Sequence, residues 1–492
     1  MFNRQNTWPI WGLILILVLY LAMGVLYASL TPPWQVPDEP AHYNYVRYLV
    51  QEKSFPVLQT GDYDQAYLNA ITKAKFHPDY SIDSIRYEFH QPPLYYLLVA
   101  PIYALTGGAL LPLRLSGILI GAGVIAVAYG VGQALFPTRP WPALSVAAFV
   151  AFNPQHIAMT AAVQNDGLAE LLIALVLLGL IRWMKAKDKS DMRPLIGCGL
   201  LSGLGLLTKT SAYITLPLIA IAVVLQYRPR ATDPRTWKST GITLLIGLLP
   251  ALILGLPWWT RNIVTYGDMD LLGLARHEQV VVDQPRSAEF IARNGLGVTL
   301  INWLTTAFHS FWGQFGWMAV PIDSRIYTAL GLLCLIVTLG FCFWLIDRFV
   351  ERSAVTPTAI LLTCSGLFTA GSVWWYNLSF YQAQGRYFFP ALIPLGVAWT
   401  LGLAETFRRR NAALIGILLT VVTALGLIRW IGNACVDKWR VLFTALGAIA
   451  WGARWLFPSE RIEPWLLGLT YGPLIALCAI SPFLFIVPYL TP

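Results

Sequence analysis

Apolar runs of roughly 18 or more residues recur along the whole chain, each long enough to cross ~30 Å of hydrocarbon as a helix. Short polar or Pro/Gly-rich turns separate them, so the pattern predicts an all-α polytopic membrane protein. The run from Trp8 to Leu30 is long for a signal-peptide core, is preceded only by Arg4, and is followed by no clear small-x-small site. It therefore reads as a spanning helix. Four runs follow at 92 to 106, 112 to 134, 141 to 159 and 167 to 181, and residues 195 to 226 suit two short helices meeting at Lys209. Further crossings are expected at 240 to 258, 326 to 346, 355 to 374, 387 to 404, 412 to 429, 439 to 457 and 464 to 487.

Basic residues set the orientation. Arg182, Lys185, Lys187, Lys189 and Arg193 form one cluster, and Arg228, Arg230, Arg235 and Lys238 another. Arg348 with Arg352, Arg408 to Arg410, and Arg454 with Arg461 continue the series. Placing all of them in the cytoplasm puts residues 31 to 90, residues 261 to 298 and the C-terminus outside. Parity then requires that one of the four early runs not cross, and 92 to 106, which opens with Pro92 and Pro93, is the shortest. The expected total is 12 to 13 crossings in one transmembrane domain covering residues 1 to 492. In the first outer loop, His42, Val46 and Leu49 share one face of a helix over 39 to 51, which predicts a juxtamembrane helix on the membrane surface. Residues 299 to 321, rich in Trp and Phe, read as interfacial.

Composition sharpens this picture. The 492 residues are 57% apolar and 12% charged, against about 25% charged in a soluble globular domain. The net charge of +9 is spread over short inter-helix clusters, which suits an anionic leaflet and excludes a nucleic-acid groove. Cys198, Cys334, Cys342, Cys364, Cys435 and Cys478 are scattered without metal-ligand spacing and read as buried small apolar groups. Trp258, Trp259, Trp312, Trp317, Trp374 and Trp375 fall at helix ends as membrane-belt anchors. Trp34, Tyr43 or Trp317 could instead stack on a sugar face.

The candidate chemistry gathers in few places. PPWQVPDEPAHYNYVRY, Pro32 to Tyr48, leads from a rigid entry into a helix start, with Asp38 and Glu39 at its front and His42 and Arg47 one and two turns on. Asp38 reads either as a reactive carboxylate or as a helix N-cap. Asp166 follows Asn165 in NPQHIAMTAAVQNDG, with His156 upstream. Lys209 lies in GLGLLTKTSAY, where an ammonium is costly unless paired or facing a polar cavity. Arg261 and Asn262 close a span in PWWTRNIVTYGD, and Arg386 opens another in QAQGRYFFPAL; snorkelling at a helix end is the alternative for the two arginines. The orientation puts Asp38, Asp166, Lys209, Arg261 and Arg386 together toward the outer leaflet. Carboxylates beside fixed cations at the edge of hydrocarbon suit departure of a lipid phosphate and deprotonation of an incoming hydroxyl. HExxH, P-loop, GxGxxG and GxSxG patterns are absent from the sequence.

These residues carry a resemblance. Pro33 and Pro37 to Tyr43, with Trp34, Gln35 and Val36 between the prolines, match the PPDEPAHF-like signature of a bacterial group of GT-C glycosyltransferases. HQPPLYY at His90 to Tyr96, Asn165-Asp166, LTK at Leu207 to Lys209, and QGRYFFP at Gln384 to Pro390 resemble the same group, which is related to protein O-mannosyltransferases and aminoarabinose transferases. The matches end at residue 390. The resemblance implies a GT-C-type helical bundle in a bacterial plasma membrane, using a polyprenyl-phosphate sugar donor and a hydroxyl acceptor (lipid, glycan or protein) at the outer face. It places the first-loop catalytic carboxylate on Asp38, with Glu39 as its neighbour and Asp166 as a second acidic position. Donor phosphate recognition falls on Lys209 and Arg386, with Arg261 added from topology. His42, one position further on than in the mannosyltransferase relatives, joins His90, Asn165 and Asn262 as supporting residues. No cofactor is expected, a divalent metal at Asp38, Glu39 and Asp166 being the alternative. Direct displacement would invert the anomeric carbon. A lipid-linked substrate transporter and a non-catalytic membrane subunit are the competing readings.

Overall fold

In the computed structural model, residues 8–188, 190–228, 233–432, 436–457 and 463–492 are described. Arg4, Lys189, Arg230, Cys435 and Arg461 of the sequence reading lie outside them. Apart from one two-stranded hairpin, Gln314–Phe315 with Val320–Pro321, and an isolated bridge at Arg286 and Phe380, the described elements are helices.

Ten of the described helices are long and apolar enough to span a membrane, from Trp8–Leu30 to Leu467–Leu490. The expected 12 to 13 crossings exceed this because three of the anticipated spans fall outside the ten. The run at 141 to 159 breaks into Pro140–Ala151 and Pro154–Thr160. Asn153 caps the second piece by accepting from the His156 N–H at 3.0 Å, and Pro154 starts it without a donor to waste. The helix Arg193–Leu206 has 14 residues, about 21 Å at 1.5 Å per residue, so it stops well short of the hydrocarbon thickness. Lys438–Leu456, which carries Lys438, Arg440 and Arg454, is the third. Leu94–Thr106 is a short helix of 13 residues, as the paired prolines before it led one to expect.

The chain divides into two compact units. One comprises residues up to Pro321, Thr356–Pro394 and Cys478–Pro492; the other comprises Ile322–Val355 and Leu395–Leu477. In the second unit, Ser324–Val350, Arg409–Ile431 and Lys438–Leu456 pack around Ile336, Ile415 and Leu419.

In the first unit, Leu110–Leu135 packs against Trp8–Leu30, Pro140–Ala151 and Asp166–Lys185. Small residues permit the close approach: a Cβ at Gly117 would collide with the Thr160 carbonyl, and one at Gly199 with the Gly247 carbonyl. The loop over residues 31 to 90 is folded. It holds the helices Glu39–Glu52 and Gln65–Lys73 and the 3₁₀ turn Tyr87–His90, around a core that includes Tyr45, Leu58, Ile71 and Phe89. Tyr45 and Tyr96 stack with ring centroids 3.6 Å apart, tying this loop to the Leu94–Thr106 helix. The face shared by His42, Val46 and Leu49 was expected to meet the membrane surface. Protein covers it instead: His42 and Val46 are buried, and Leu49 packs against the same aromatic core.

Candidate active site

Asp38 occupies the N-cap position of Glu39–Glu52, yet its side chain caps nothing. Its backbone is left-handed, φ 68°, a conformation that non-glycine residues adopt at a cost and that clusters at functional sites. The carboxylate turns away from the helix. Oδ1 accepts from the Tyr87 hydroxyl at 2.7 Å, and Oδ2 accepts from Arg386 Nη2 at 2.5 Å. Burial pushes this carboxyl up, but the Arg386 guanidinium, the Tyr87 hydroxyl and His42 outweigh it and hold it at about 2. Of the two readings of Asp38, the helix cap is thus removed.

Arg386 sits in the 3₁₀ turn Gly385–Ala391. Gly385 lets that turn press against the Leu296–Trp312 helix: its N–H donates to Ser310 Oγ at 2.7 Å, and a Cβ would strike the backbone at Ala307 and Phe311. Only Nη2 of the guanidinium is spent on Asp38. Nε and Nη1 are buried and have no hydrogen-bond partner among the described residues.

Lys209 is extended between the end of Arg193–Leu206 and the turn Thr210–Ile214, and its ammonium lies 2.6 Å from Asp166 Oδ1. This meets the requirement that an ammonium in an apolar run be paired. Asp166 stands in the first turn of Asp166–Lys185, where the helix N-terminus also favours a negative charge. The two ion pairs interact electrostatically, Asp166 with Arg386 and Lys209 with Arg386. His42 lies nearby with Nδ1 2.7 Å from the Tyr96 hydroxyl, and burial holds it below its usual value.

Asp38 and Arg386 line a cavity of about 260 Å³ together with Tyr87, Glu88, Trp317 and Tyr387. Glu88 was not singled out by sequence reasoning. Its place two residues before the HQPPLYY stretch was the available signal. Burial raises its carboxyl, and Oε2 has no partner among the described residues.

Other expected residues stand elsewhere. Glu39 is fully buried and gives both carboxylate oxygens to Arg114, at 2.7 Å and 2.6 Å, while accepting from the Trp34 and Val163 N–H groups. It is not on the cavity wall, because the helix start that turns Asp38 toward Arg386 turns Glu39 into the protein. Arg261 does not join the Asp38 cluster: it donates to the Asn262 side chain at 2.9 Å and to the Pro56 carbonyl at 2.5 Å, and lies over the Trp258 and Tyr266 rings. Asn262 donates to the Leu271 carbonyl. Arg261 therefore ties residues 261–298 to the loop over 31–90, and Asn262 braces its own segment. His90 has Nδ1 3.0 Å from the Tyr87 carbonyl, and its ring lies 4.6 Å from that of His277. Asn165 donates to the Thr208 carbonyl at 3.1 Å, steadying the approach of the Asp166 and Lys209 segments. His156 pairs with Glu170 at 2.9 Å, and Arg47 with Asp83 at 2.6 Å.

With this geometry in place, the comparisons become informative. A family model described as dolichyl-phosphate-mannose-protein mannosyltransferase matches residues 90–259. ArnT from Cupriavidus metallidurans, in a crystal structure bound to undecaprenyl phosphate, superposes with a TM-score of 0.51 at 15% identity, over 99% of this chain and 77% of that one. The oligosaccharyltransferase of Archaeoglobus fulgidus, tethered to an acceptor peptide, gives a TM-score of 0.53 at 15% identity, over 96% of this chain and 55% of that one. The chain has a GT-C fold. This GT-C chain thus spans little more than half the archaeal enzyme. No curated protein matches its sequence significantly. Among the described residues, no group of three or more His, Cys, Asp or Glu side chains is placed to hold a metal ion.

Proposed function

We propose that this GT-C protein transfers a sugar from a polyprenyl-phosphate carrier to a hydroxyl acceptor at the outer face of a bacterial plasma membrane. The observation that carries the reading is the half-used guanidinium of Arg386: Nη2 holds Asp38, while Nε and Nη1 stand buried and unpartnered beside a cavity. A donor phosphate can accept from one of those two nitrogens without displacing Asp38, so one side chain sets the leaving group and the base side by side. Lys209, 2.6 Å from Asp166, adds positive charge on the same side.

In this mechanism the acceptor oxygen attacks the anomeric carbon, and the bond from that carbon to the phosphate oxygen breaks with its electron pair on the phosphate. The acceptor proton passes to Asp38, and the anomeric configuration inverts. An aspartate held at about 2 is a weak base for a ground-state alcohol. It suffices once bond formation has made the attacking hydroxyl acidic, and the charge arriving on the phosphate draws Arg386 away from it. Glu39, enclosed with Arg114, positions the Asp38 segment.

Mass spectrometry of lipid extracted from the purified protein should find a polyprenyl phosphate, with or without its sugar, and added undecaprenyl phosphate should bind. A protein that neither carries nor binds such a lipid overturns the reading. Tight binding with movement across vesicles and no sugar transfer favours the transporter. Membrane-impermeant labelling of intact cells, with cysteine placed at Asp79 or Lys187 in a background lacking the exposed Cys342, should mark position 79 alone. The converse pattern overturns the outer-face assignment.

A further inference from the structure

Three buried acceptor oxygens, on side chains that line one small cavity, lack a donor. Glu88 Oε2, Gln284 Oε1 and Gln384 Oε1 have no hydrogen-bond partner among the described residues, and all three side chains line the cavity that Asp38 and Arg386 share. The Gln384 amide is oriented: its Nε2 donates to Gln382 Oε1 at 2.8 Å, which leaves its own oxygen free. The three come from separate parts of the chain, the turn Tyr87–His90, the second outer loop and the strand-like approach to Gly385–Ala391. A buried unpaired acceptor costs about 1–3 kcal/mol, so three on one cavity lining mark a place completed by a ligand that brings donors. The other unpaired groups on side chains of this lining are the donors Nε and Nη1 of Arg386. A ligand that satisfies both must bring acceptors and donors, as a phosphate bearing a hydroxylated ring does.

The charge around this wall narrows the class. Arg386 is the single Lys or Arg side chain among the residues lining the cavity, and His277 is held neutral by burial and by His90, down to about 3. No cation remains there to receive a carboxylate on the transferred group. Burial raises the Glu88 carboxyl as well. The volume, about 260 Å³, lies just below the usual range of ligand sites, about 300 to 1,000 Å³, and suits one ring. One rim is the hairpin tip at which Gly316, Trp317 and Met318 all have left-handed φ, at 59°, 53° and 69°. The Trp317 indole is fixed by its Nε1 donating to the Trp34 carbonyl at 3.0 Å and by stacking on Phe76. A strained turn that holds an aromatic ring on the cavity lining provides a flat apolar face for a sugar ring.

We propose that Glu88, Gln284 and Gln384 form the subsite for the transferred group, and that this group is a single, hydroxyl-rich, non-anionic sugar. The inference rests on the sugar-transfer reading and specifies its substrate class. The probes are undecaprenyl phosphate alone and the same lipid bearing glucose, glucuronate or a disaccharide, with affinities measured for the full-length protein in nanodiscs. Glucose should strengthen binding over the bare lipid by about 10-fold or more, whereas glucuronate and the disaccharide should not. Gln284→Leu and Gln384→Leu should each remove most of the glucose gain while leaving the affinity for bare undecaprenyl phosphate within about twofold. Equal affinity for all four lipids, or a preference for glucuronate or the disaccharide, overturns the subsite even if a variant fails to fold. Failure of every lipid to bind overturns the sugar-transfer reading and this inference with it, whereas binding of the bare lipid without a glucose gain overturns the subsite alone.

Discussion

Asp38 Oδ2 and Arg386 Nη2 meet at 2.5 Å across 348 positions of sequence. The contact joins the loop over residues 31–90 to the turn at Gly385–Ala391 and leaves two guanidinium nitrogens unspent. Arg386→Lys keeps the charge and loses the planar fork that serves carboxylate and phosphate together. Affinity for undecaprenyl phosphate should fall by about 10-fold or more, since a charge-assisted hydrogen bond contributes about 1.5–3 kcal/mol. Unchanged affinity in a titration with the lipid would show that the fork does not hold the phosphate.

Lys209 gives a different expectation. Its partner Asp166 is partly exposed, as is Lys209 itself, with side-chain exposures of 30% and 20%, so the pair contributes less to stability than a dry one would. Lys209→Ala should weaken donor binding because the ground-state phosphate is already charged, and it should lower kcat/KM more than kcat. A variant with unaltered binding and a large loss of kcat would place Lys209 at the transition state alone.

The Glu39–Arg114 pair is dry, its side chains 0% and 3% exposed. Removing one partner strands the other, at a cost of about 3–5 kcal/mol. Glu39→Leu and Arg114→Met should each lower the unfolding temperature more than the double replacement does. Additive losses in a double-mutant cycle would contradict that coupling.

What could be read from the sequence follows from what each residue needs locally. Long apolar runs disclose spanning helices, and the cost of an isolated ammonium in a run such as GLGLLTKTSAY already demanded a partner for Lys209. Where the Pro140 run breaks was also written locally, in Asn153-Pro154, but length and hydropathy outweighed it. Asp38 was singled out, but whether it capped its helix depended on Arg386, hundreds of residues away, and no local pattern encodes that. Glu39 and Arg261 misled for the same reason: Arg114 and the Pro56 carbonyl, which engage them, are distant in sequence. Glu88 carried only the weak signal of its place beside HQPPLYY, because an acidic residue in an acidic loop is unremarkable until its cavity is seen.

Acid should loosen the clasp between residues 31–90 and 261–298, where the His90 and His277 rings meet. Burial, with Lys209 nearby, lowers His90 to about 4, and burial with His90 lowers His277 to about 3, against Glu278 and Asp38, which act upward on His277. The folded state therefore binds fewer protons than the unfolded one below the ordinary histidine value of about 6.5, and stability falls as pH drops from there toward 4. Thermal unfolding across that range should show the decline, and His277→Gln should flatten it. An identical slope in the variant would remove His277 from the effect.

The most direct test of the account measures turnover and donor binding separately for the unsubstituted protein and for Asp38→Asn. The assay would follow radiolabelled sugar leaving undecaprenyl phosphate in the presence of cell-envelope acceptor. Asp38→Asn retains the size of the side chain and loses the base, so turnover should fall by about 100-fold or more while affinity for bare undecaprenyl phosphate stays within about threefold, well under the shift expected for a lost charge-assisted hydrogen bond. Sugar transfer by Asp38→Asn at the unsubstituted rate would contradict the central claim.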